Sequence, residues 1–314
     1  EKVNGSGAGV ALQRRPSSMQ VLTTSATAAQ EPQATRATGY PFVIVLSLAD
    51  RNLNTALTHD NVAGNDFPQI RMIMSHLAHA LDNLHSEGRI HADLKPLNAA
   101  RELTWKLIDM DVSRKFGESF GTKLPSSGYC PPEVANVLLA VHNAETEEAK
   151  TQELAKYTAS VAYDLWSFGV VLFHLCYGIS LFNTDQNDNV KMDDLQTLAE
   201  APGGAWRKLI NKALRSGEVR NASVDIKAAA VLLRKLLEPD PSKRLQYFPE
   251  GSEMMGVLEE PFFQGQSVEE AAMHTHLDRM EQKADAAFFQ LITMGEEHRS
   301  ELRHTRAVLL KAVF

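Results

Sequence analysis

The stretch RIHADLKPLN, residues 89 to 98, concentrates a histidine, an aspartate, a lysine and an asparagine within a short segment. Asp93, Lys95 and Asn98 are closely spaced, and the next apolar run, WKLIDM, contains Asp109. Phosphoryl transfer uses a carboxylate that orients the attacking hydroxyl, a cation beside the transferred group, and oxygen ligands for Mg²⁺. A solvated polar loop explains each of these residues singly, but the whole string is typical of a phosphoryl-transfer site.

The quoted stretch is predicted to be a loop between a helix and a strand. Apolar residues recur at helical spacing from Phe67 to His85, and Gly88 then supplies the residue type that commonly ends a helix. The apolar run 105–110 that follows has the pattern of a short strand. Asp93, Lys95 and Asn98 are therefore expected on a connection, where functional side chains are often found.

Composition excludes several classes of protein. The chain has 314 residues, of which 44% are hydrophobic and 23% charged, and a formal net charge of −7. Such an acidic balance argues against a nucleic-acid partner, since no basic surplus is present to neutralise phosphates. No apolar run approaches the roughly 18 residues of a membrane span, so no membrane association is predicted. Two cysteines, Cys130 and Cys176, form no disulfide framework, and we expect a reducing, cytoplasmic location.

Changes in composition and apolar pattern along the chain predict three regions. Residues 1–39 are rich in small and polar residues without apolar periodicity, and this segment is predicted to be mostly disordered. Residues 40–264 form the predicted domain, which begins with the buried-strand pattern YPFVIVLSLA. Residues 265–314 are predicted to form a long helix with a heptad seam from Met273 to Met294. Packing on its own domain and a coiled coil that binds a partner or a second copy both remain open.

HADLKPLN resembles the catalytic loop H-R-D-L-K-P-x-N of eukaryotic protein kinases, and residues 40–264 resemble the part of that family from the hinge strand to the end of the C-terminal lobe. The resemblance implies that Asp93 is the catalytic base that orients the substrate hydroxyl and that Lys95 steadies the γ-phosphate of ATP. Asn98 is implied as a catalytic-loop ligand of Mg²⁺. A lysine two residues after the aspartate is similar to serine/threonine rather than tyrosine kinases.

Other landmarks of the family follow in order. IDMD is similar to the D-F-G site, which implies Asp109 as the main Mg²⁺ ligand together with Asn98. The same resemblance implies that Glu133 pairs with Arg244 and that Asp164 hydrogen-bonds the backbone of the catalytic loop. The segments that carry these matches are SSGYCPPE (126–133), YDLWSFGV (163–170) and DPSKRL (240–245).

The strand before the catalytic region corresponds to the hinge of the family. The resemblance puts Val45 near the gatekeeper position and has the segment from Leu46 to Leu48 offer backbone groups to the adenine of ATP. Asp50 and Asn52 are expected to face the ribose. ATP and Mg²⁺ are thus the implied cofactors, with nucleotide-binding positions at Val45, Leu46, Leu48, Asp50, Asn98 and Asp109.

These features together predict an α+β, protein-kinase-like fold: a mostly helical large lobe, an N-terminal β lobe that is truncated or absent, and the C-terminal long helix. The predicted function is that of a protein serine/threonine kinase that transfers the ATP γ-phosphate to protein hydroxyls. The alternative is a catalytically inactive kinase-like module that binds partners. The missing lobe motivates this alternative, because only 39 residues precede YPFVIV. GSGAGVA at residues 5–11 and Lys2 are poor matches to the family's phosphate loop and strand lysine.

Two residues and one segment inside the resembling region depart from the family pattern. Asp111 replaces the glycine of D-F-G, where it either caps the following turn or adds negative charge near a metal. The segment 144–157 is a longer insertion than usual, and its mixed charges predict a solvated helix. Ala92 replaces the usual arginine, whose role in the family is to bind a phosphate on the activation loop.

The alanine at position 92 predicts that turnover is independent of phosphorylation within residues 112–128, because the side chain that would receive the phosphate is absent. We expect equal initial rates before and after phosphatase treatment, with phosphosites mapped by mass spectrometry. A phosphosite in this segment that switches turnover on would contradict the prediction.

Overall fold

The computed structural model describes residues 20–22, 43–45, 47–121, 123–200, 205–220 and 223–266. The chain divides into two compact units, Glu1–Ala49 and Asp50–Phe314. Within the described residues, the second unit contains all of the helices and the candidate catalytic loop.

Two short strands make up the described secondary structure of the first unit. β1 (Gln20–Leu22) pairs antiparallel with β2 (Val43–Val45), with Val21 opposite Ile44. β-branched residues favour this extended conformation. The strand at Val43–Val45 lies within the predicted hinge run, whereas β1 lies inside the segment predicted to be mostly disordered. Composition alone missed β1 because its pairing depends on a partner far along the chain.

The second unit is mostly helical. Its first part contains β3 (Arg51–Asn52), α1 (Leu53–His59), α2 (Phe67–Ser86), β4 (Arg89–Ile90), β5 (Ala99–Arg101), β6 (Trp105–Leu107) and β7 (Arg114–Lys115). Its second part contains α3 (Pro132–Asn143), α4 (Glu147–Leu154), α5 (Val161–Tyr177), α6 (Met192–Ala199) and α7 (Ala205–Arg220). It continues with α8 (Val224–Leu236), α9 (Pro241–Gln246), α10 (Glu253–Leu258) and α11 (Pro261–Gln264). Single 3₁₀ turns at Pro96–Asn98 and Ser127–Tyr129 complete the described elements.

Helix α5 lies at the centre of the second unit. Apolar residues occupy nearly all of its circumference, and a helix of that pattern is stable only when other elements surround it. Trp166 and Phe168 are fully buried, and the helix packs against α2, α8 and α9. Gly178 ends it in the left-handed conformation, with φ of 66°. Helix α5, which contains YDLWSFGV, is therefore the core of the lobe.

Two small ladders fix the ends of the catalytic-loop region. β4 pairs with β7, with Ile90 opposite Arg114, and β5 pairs with both β3 and β6. Helix α2 precedes β4 and buries the apolar face formed by Ile70, Ile73, Met74, Leu77 and Leu81. The loop between β4 and β5 is thus held at both ends by strand pairing.

A buried ion pair joins the first turn of α3 to α9. Arg244 Nη1 and Nη2 donate to the two carboxylate oxygens of Glu133 at 2.9 and 3.2 Å. The guanidinium is fully buried; it also donates to the carbonyl of Ala162 at 2.7 Å and lies over the Trp166 ring, 5.0 Å from its centroid. The pairing that the resemblance implied is present, and its many donors are satisfied, as a buried arginine requires.

The predicted α+β, mostly helical architecture is confirmed. The insertion at 144–157 contains the predicted helix, α4, which has no buried residue. The heptad seam from Met273 to Met294 lies outside the described residues, so the long C-terminal helix and self-association through it stay predictions. None of the helices in the described part of the chain is long and apolar enough to cross a membrane.

Gly169 is the point of close approach between α5 and the end of α8. A Cβ at this position would lie 2.8 Å from the Cβ of Leu236 and 3.1 Å from a methyl carbon of Leu237. We expect Gly169→Ala to lower the free energy of unfolding by about 2 kcal/mol, because overpacking forces the helices apart. Urea unfolding measures the change, with Gln152→Ala on the exposed α4 as the control. An unchanged midpoint would contradict the close contact.

Candidate active site

The backbone of the loop between β4 and β5 is anchored by a carboxylate from α5. Asp164, fully buried, accepts hydrogen bonds from the backbone N–H groups of His91 at 2.8 Å and Ala92 at 2.9 Å. Ala92 has φ of 64°, a left-handed conformation that is unfavourable for a residue with a Cβ. The two hydrogen bonds offset this strain and hold the loop in the shape that presents Asp93.

Asp164 is also bound by a histidine that the sequence reasoning did not single out. His85 lies in the last turn of α2, and its Nε2 is 2.8 Å from the Asp164 oxygen that also accepts from the His91 N–H. Desolvation of the buried carboxyl acts to raise its pKa, but the hydrogen bond to His85 and the charges of His85 and His91 act in the opposite direction. The pKa of Asp164 is lowered on balance, so the anchor is a carboxylate at neutral pH.

Asp93 is held by donors on both oxygens. Asn98 Nδ2 donates to one carboxylate oxygen at 2.9 Å and to the backbone carbonyl of Asp93, also at 2.9 Å. The backbone N–H of Ser126 donates to the other oxygen at 3.1 Å. Asp93 is only 6% exposed, and each carboxylate oxygen still has a further acceptor position. This geometry fixes the carboxylate while leaving it able to accept a hydrogen bond from a hydroxyl.

The ammonium of Lys95 lies among three oxygen-bearing side chains. Its Nζ donates to Ser126 Oγ at 2.7 Å and is 3.5 Å from an oxygen of Asp93. Asp188, in the segment between α5 and α6, contributes a carboxylate oxygen 3.2 Å from the same nitrogen. The structure thus brings the predicted residues Asp93, Lys95 and Asn98 together and adds Asp188. No signal in the sequence pointed to Asp188, because a contact across 93 positions depends on the tertiary fold.

Asp109 reaches the same region through strand pairing. The backbone N–H of Ile108 donates to the carbonyl of Asn98 at 3.0 Å, so Asp109 directly follows a residue bonded to Asn98. Its φ is 64° and its side chain is 41% exposed. Lys123 lies alongside, with Nζ 2.7 Å from Asp111 and 3.9 Å from Asp109. The hydrogen bond to Asp111 raises the pKa of Lys123, so the carboxylate that replaces glycine has a cationic partner.

Asn98 and Asp109 are a chemically suitable pair for Mg²⁺. With its amide nitrogen bound to Asp93, Asn98 has its carbonyl oxygen left to act as a ligand. Among the described residues, no three or more histidine, cysteine, aspartate or glutamate side chains are grouped so that they could hold a metal ion. Mg²⁺ commonly takes one or two protein oxygens and completes its shell with water and phosphate oxygens, so the donor set fits.

The predicted adenine and ribose contacts are less fully described. Val45 lies in β2, Leu48 is exposed in the segment that follows, and Leu46 lies outside the described residues. Asp50 belongs to the second unit and pairs with Arg51 at 3.0 Å. Asn52 caps α1, accepting from the backbone N–H of Thr55 at 2.9 Å. These hinge residues stay predictions as nucleotide contacts.

A groove of about 650 Å³ lies next to the site. It is bordered by Ser127, the neighbour of Ser126, and by α3, α4 and the start of α6. Its apolar lining includes Leu124, Leu138, Val141, Leu154, Val190 and Leu195. The insertion that contains α4 therefore forms a wall of a concave surface beside the catalytic loop.

Comparison with known proteins places this site in context. A family model described as the protein kinase domain matches residues 33–263. Kist of Homo sapiens, a serine/threonine-protein kinase, is 28% identical over 207 residues, which cover 64% of this chain and 44% of Kist. The probable serine/threonine-protein kinase fhkA of Dictyostelium discoideum is 30% identical over 194 residues, covering 56% of this chain and 30% of fhkA. The serine/threonine-protein kinase TOS3 of Saccharomyces cerevisiae is 29% identical over 186 residues, covering 57% of this chain and 31% of TOS3. The matched part spans less than half the length of each relative.

The anchor at Asp164 predicts a pH-dependent contribution to stability. Asp164→Asn removes the charge and leaves one of the two loop N–H groups without a good acceptor, so we expect a loss of about 3 kcal/mol in the free energy of unfolding. Because the pKa of the folded carboxyl lies below the ordinary 3.8, its contribution is complete above that value and is lost as the pH falls through the folded pKa.

Urea unfolding of both proteins between about pH 7 and pH 3 checks the expectation. The difference in the free energy of unfolding between wild type and Asp164→Asn should become smaller at the acid end of this range. Glu147→Gln, at an exposed position on α4, provides the charge-matched control and should have little effect. A constant difference at every pH would show that the charge of Asp164 has no part in the anchor.

Proposed function

The chain belongs to the eukaryotic protein kinase family, serine/threonine type, and we propose on that basis that it transfers the γ-phosphate of ATP to hydroxyl groups of proteins. The observation that carries the proposal is the network in which Asn98 and Ser126 hold the carboxylate of Asp93 while Lys95 lies 3.5 Å from it. Phosphoryl transfer is catalysed mainly by positioning and charge, and this network supplies both.

Each residue has a separable role in the proposed reaction. Asp93 accepts the hydrogen bond of the attacking hydroxyl and so directs its oxygen towards the phosphorus. Lys95 offsets negative charge on the transferred group, and Asn98 and Asp109 hold Mg²⁺, which neutralises charge on the phosphates when bound. Val45, Leu46, Leu48 and Asp50 belong to this proposal as the nucleotide-binding positions of the hinge region.

Protein substrates are supported by the groove beside Ser127. An extended peptide advances about 3.3 Å per residue, so a segment whose hydroxyl lies at Asp93 would place its nearby side chains along this surface. The lining is mainly apolar and partly polar, which is typical of surfaces that bind protein segments.

The alternative function is a kinase-like module that binds partners without turnover. It is favoured by one observation: the ammonium of Lys123 lies 3.9 Å from Asp109, where a bound Mg²⁺ would have to compete with it. Nucleotide binding measured separately from phosphate transfer distinguishes the two functions.

The central test is Asp93→Asn in the full-length protein. We expect wild type to transfer label from γ-labelled ATP to a general protein substrate in the presence of Mg²⁺, and the variant to lose at least about 100-fold in rate. Nucleotide affinity should be unchanged, because Asp93 is not a proposed metal ligand. Asp193→Asn on the exposed start of α6 is the matched control. Nucleotide binding without transfer by wild type would favour the binding module, and equal rates for wild type and Asp93→Asn would exclude the proposed base.

A further inference from the structure

The cation of the candidate active site has a second carboxylate partner that the family resemblance did not imply. Lys95 Nζ lies 3.2 Å from Asp188 and 3.5 Å from Asp93, closer to the carboxylate outside the catalytic loop. The side chain of Lys95 is 14% exposed and that of Asp188 19% exposed. Ion pairs with this degree of burial are screened less by solvent than exposed pairs.

Asp188 is presented by a closely bonded turn, which we call the 184–190 loop. Thr184 and Val190 are bridged across its base, and Asp185 accepts from the backbone N–H groups of Asn187 at 2.8 Å and Asn189 at 2.9 Å. Asp188 itself has φ of 61°. Aspartate and asparagine tolerate this left-handed conformation better than most residues, so the position suits the side chain that reaches Lys95.

The 184–190 loop is joined directly to the segment that binds Asp93. Gly128 N–H donates to the carbonyl of Asp188 at 2.9 Å, and Ser127 N–H donates to the Asn189 side chain at 3.1 Å. The approach is so close that a Cβ on Gly128 would lie 2.7 Å from the Asp188 carbonyl oxygen. Ser126, the residue that precedes Ser127, bonds both Asp93 and Lys95. The loop is therefore part of the same rigid surroundings as the catalytic groups.

We propose that Asp188 is a positioning residue for Lys95, and that it holds the ammonium beside Asp93 through the 184–190 loop. The catalytic consequence rests on the proposed kinase function, whereas the control of the Lys95 amine does not. Asp93 and Ser126 Oγ are two neighbours of the Lys95 ammonium, and Asp188 supplies a third restraint from a different segment of the lobe. A lysine has a long flexible chain, so each additional restraint reduces the number of positions that its ammonium samples.

The charges define what this restraint does to the reaction. Lys95 contributes one positive charge, and Asp93 and Asp188 contribute two negative charges around it. Asp188 keeps the ammonium in place before a phosphate arrives, and its contact with Lys95 must weaken as the ammonium turns towards that anion. Asp188 thus acts on the reaction through Lys95, without contacting the hydroxyl or the metal.

Asp188→Asn tests the proposal, because asparagine keeps the size and the left-handed backbone conformation but removes the charge. In the natural full-length protein, the rate of acylation of the Lys95 amine by a small N-hydroxysuccinimide ester is measured by mass spectrometry. We expect a rise of about threefold, the size expected for losing one partly buried ion pair. Asp193→Asn is the charge-matched control and should leave the rate unchanged.

Two further measurements separate positioning from a general loss of structure. Hydrogen exchange of the 184–190 loop should be the same in wild type and Asp188→Asn, since the backbone bonds from Ser127 and Gly128 remain. Steady-state kinetics should show a fall in kcat of about three- to fivefold with the KM for ATP unchanged or lower, because the change removes a restraint on Lys95 and a negative charge.

The outcomes distinguish this proposal from the proposed function. Unchanged acylation of Lys95 in Asp188→Asn, or faster exchange of the loop together with faster acylation, would overturn the positioning role. A rise in kcat would also overturn it, because Asp188 would then restrain the reaction. If wild type shows no transfer at all, the kinase proposal fails, while the acylation and exchange measurements still decide whether Asp188 holds Lys95.

Discussion

The buried carboxylate of Asp164 is the interaction on which the geometry of the site depends. It lies on α5, the helix around which the lobe is packed, and accepts the backbone N–H groups of His91 and Ala92. This arrangement transfers the rigidity of the core to a loop that has little regular structure of its own. The left-handed backbone at Ala92 follows from it, because an unfavourable conformation persists only where surrounding contacts compensate for its cost.

Further polar contacts extend the same framework towards the groove beside Ser127. Glu133, in the first turn of α3, pairs with Arg244 of α9. Ser126, in the segment just before α3, bonds Asp93 and Lys95. The 184–190 loop then packs on Ser127 and Gly128. The carboxylate of Asp93, the ammonium of Lys95 and the border of the groove are therefore joined by short hydrogen bonds, which couple the positions of these groups.

Sequence reasoning was most successful where one short segment holds a complete signal. The loop from His91 to Asn98 carries the family's motif within a few residues, and apolar periodicity identified α2 without knowledge of its partners. It says less where a residue has two possible uses. Asn52 is expected to face a ribose, which stays a prediction, and its side chain also caps α1, since a helix begins at the next residue and needs an acceptor for its free N–H groups.

The sequence by itself determined the family, the mostly helical lobe and the identity of the groups at Asp93, Lys95, Asn98 and Asp109, because spacing along a chain carries that information. Only the tertiary structure decided what surrounds them. Asp188 meets Lys95, and α4 walls a groove beside Ser127, through contacts between segments that are distant in sequence. Such contacts are selected by packing and by the satisfaction of buried polar groups, and neither leaves a local pattern in the order of residues.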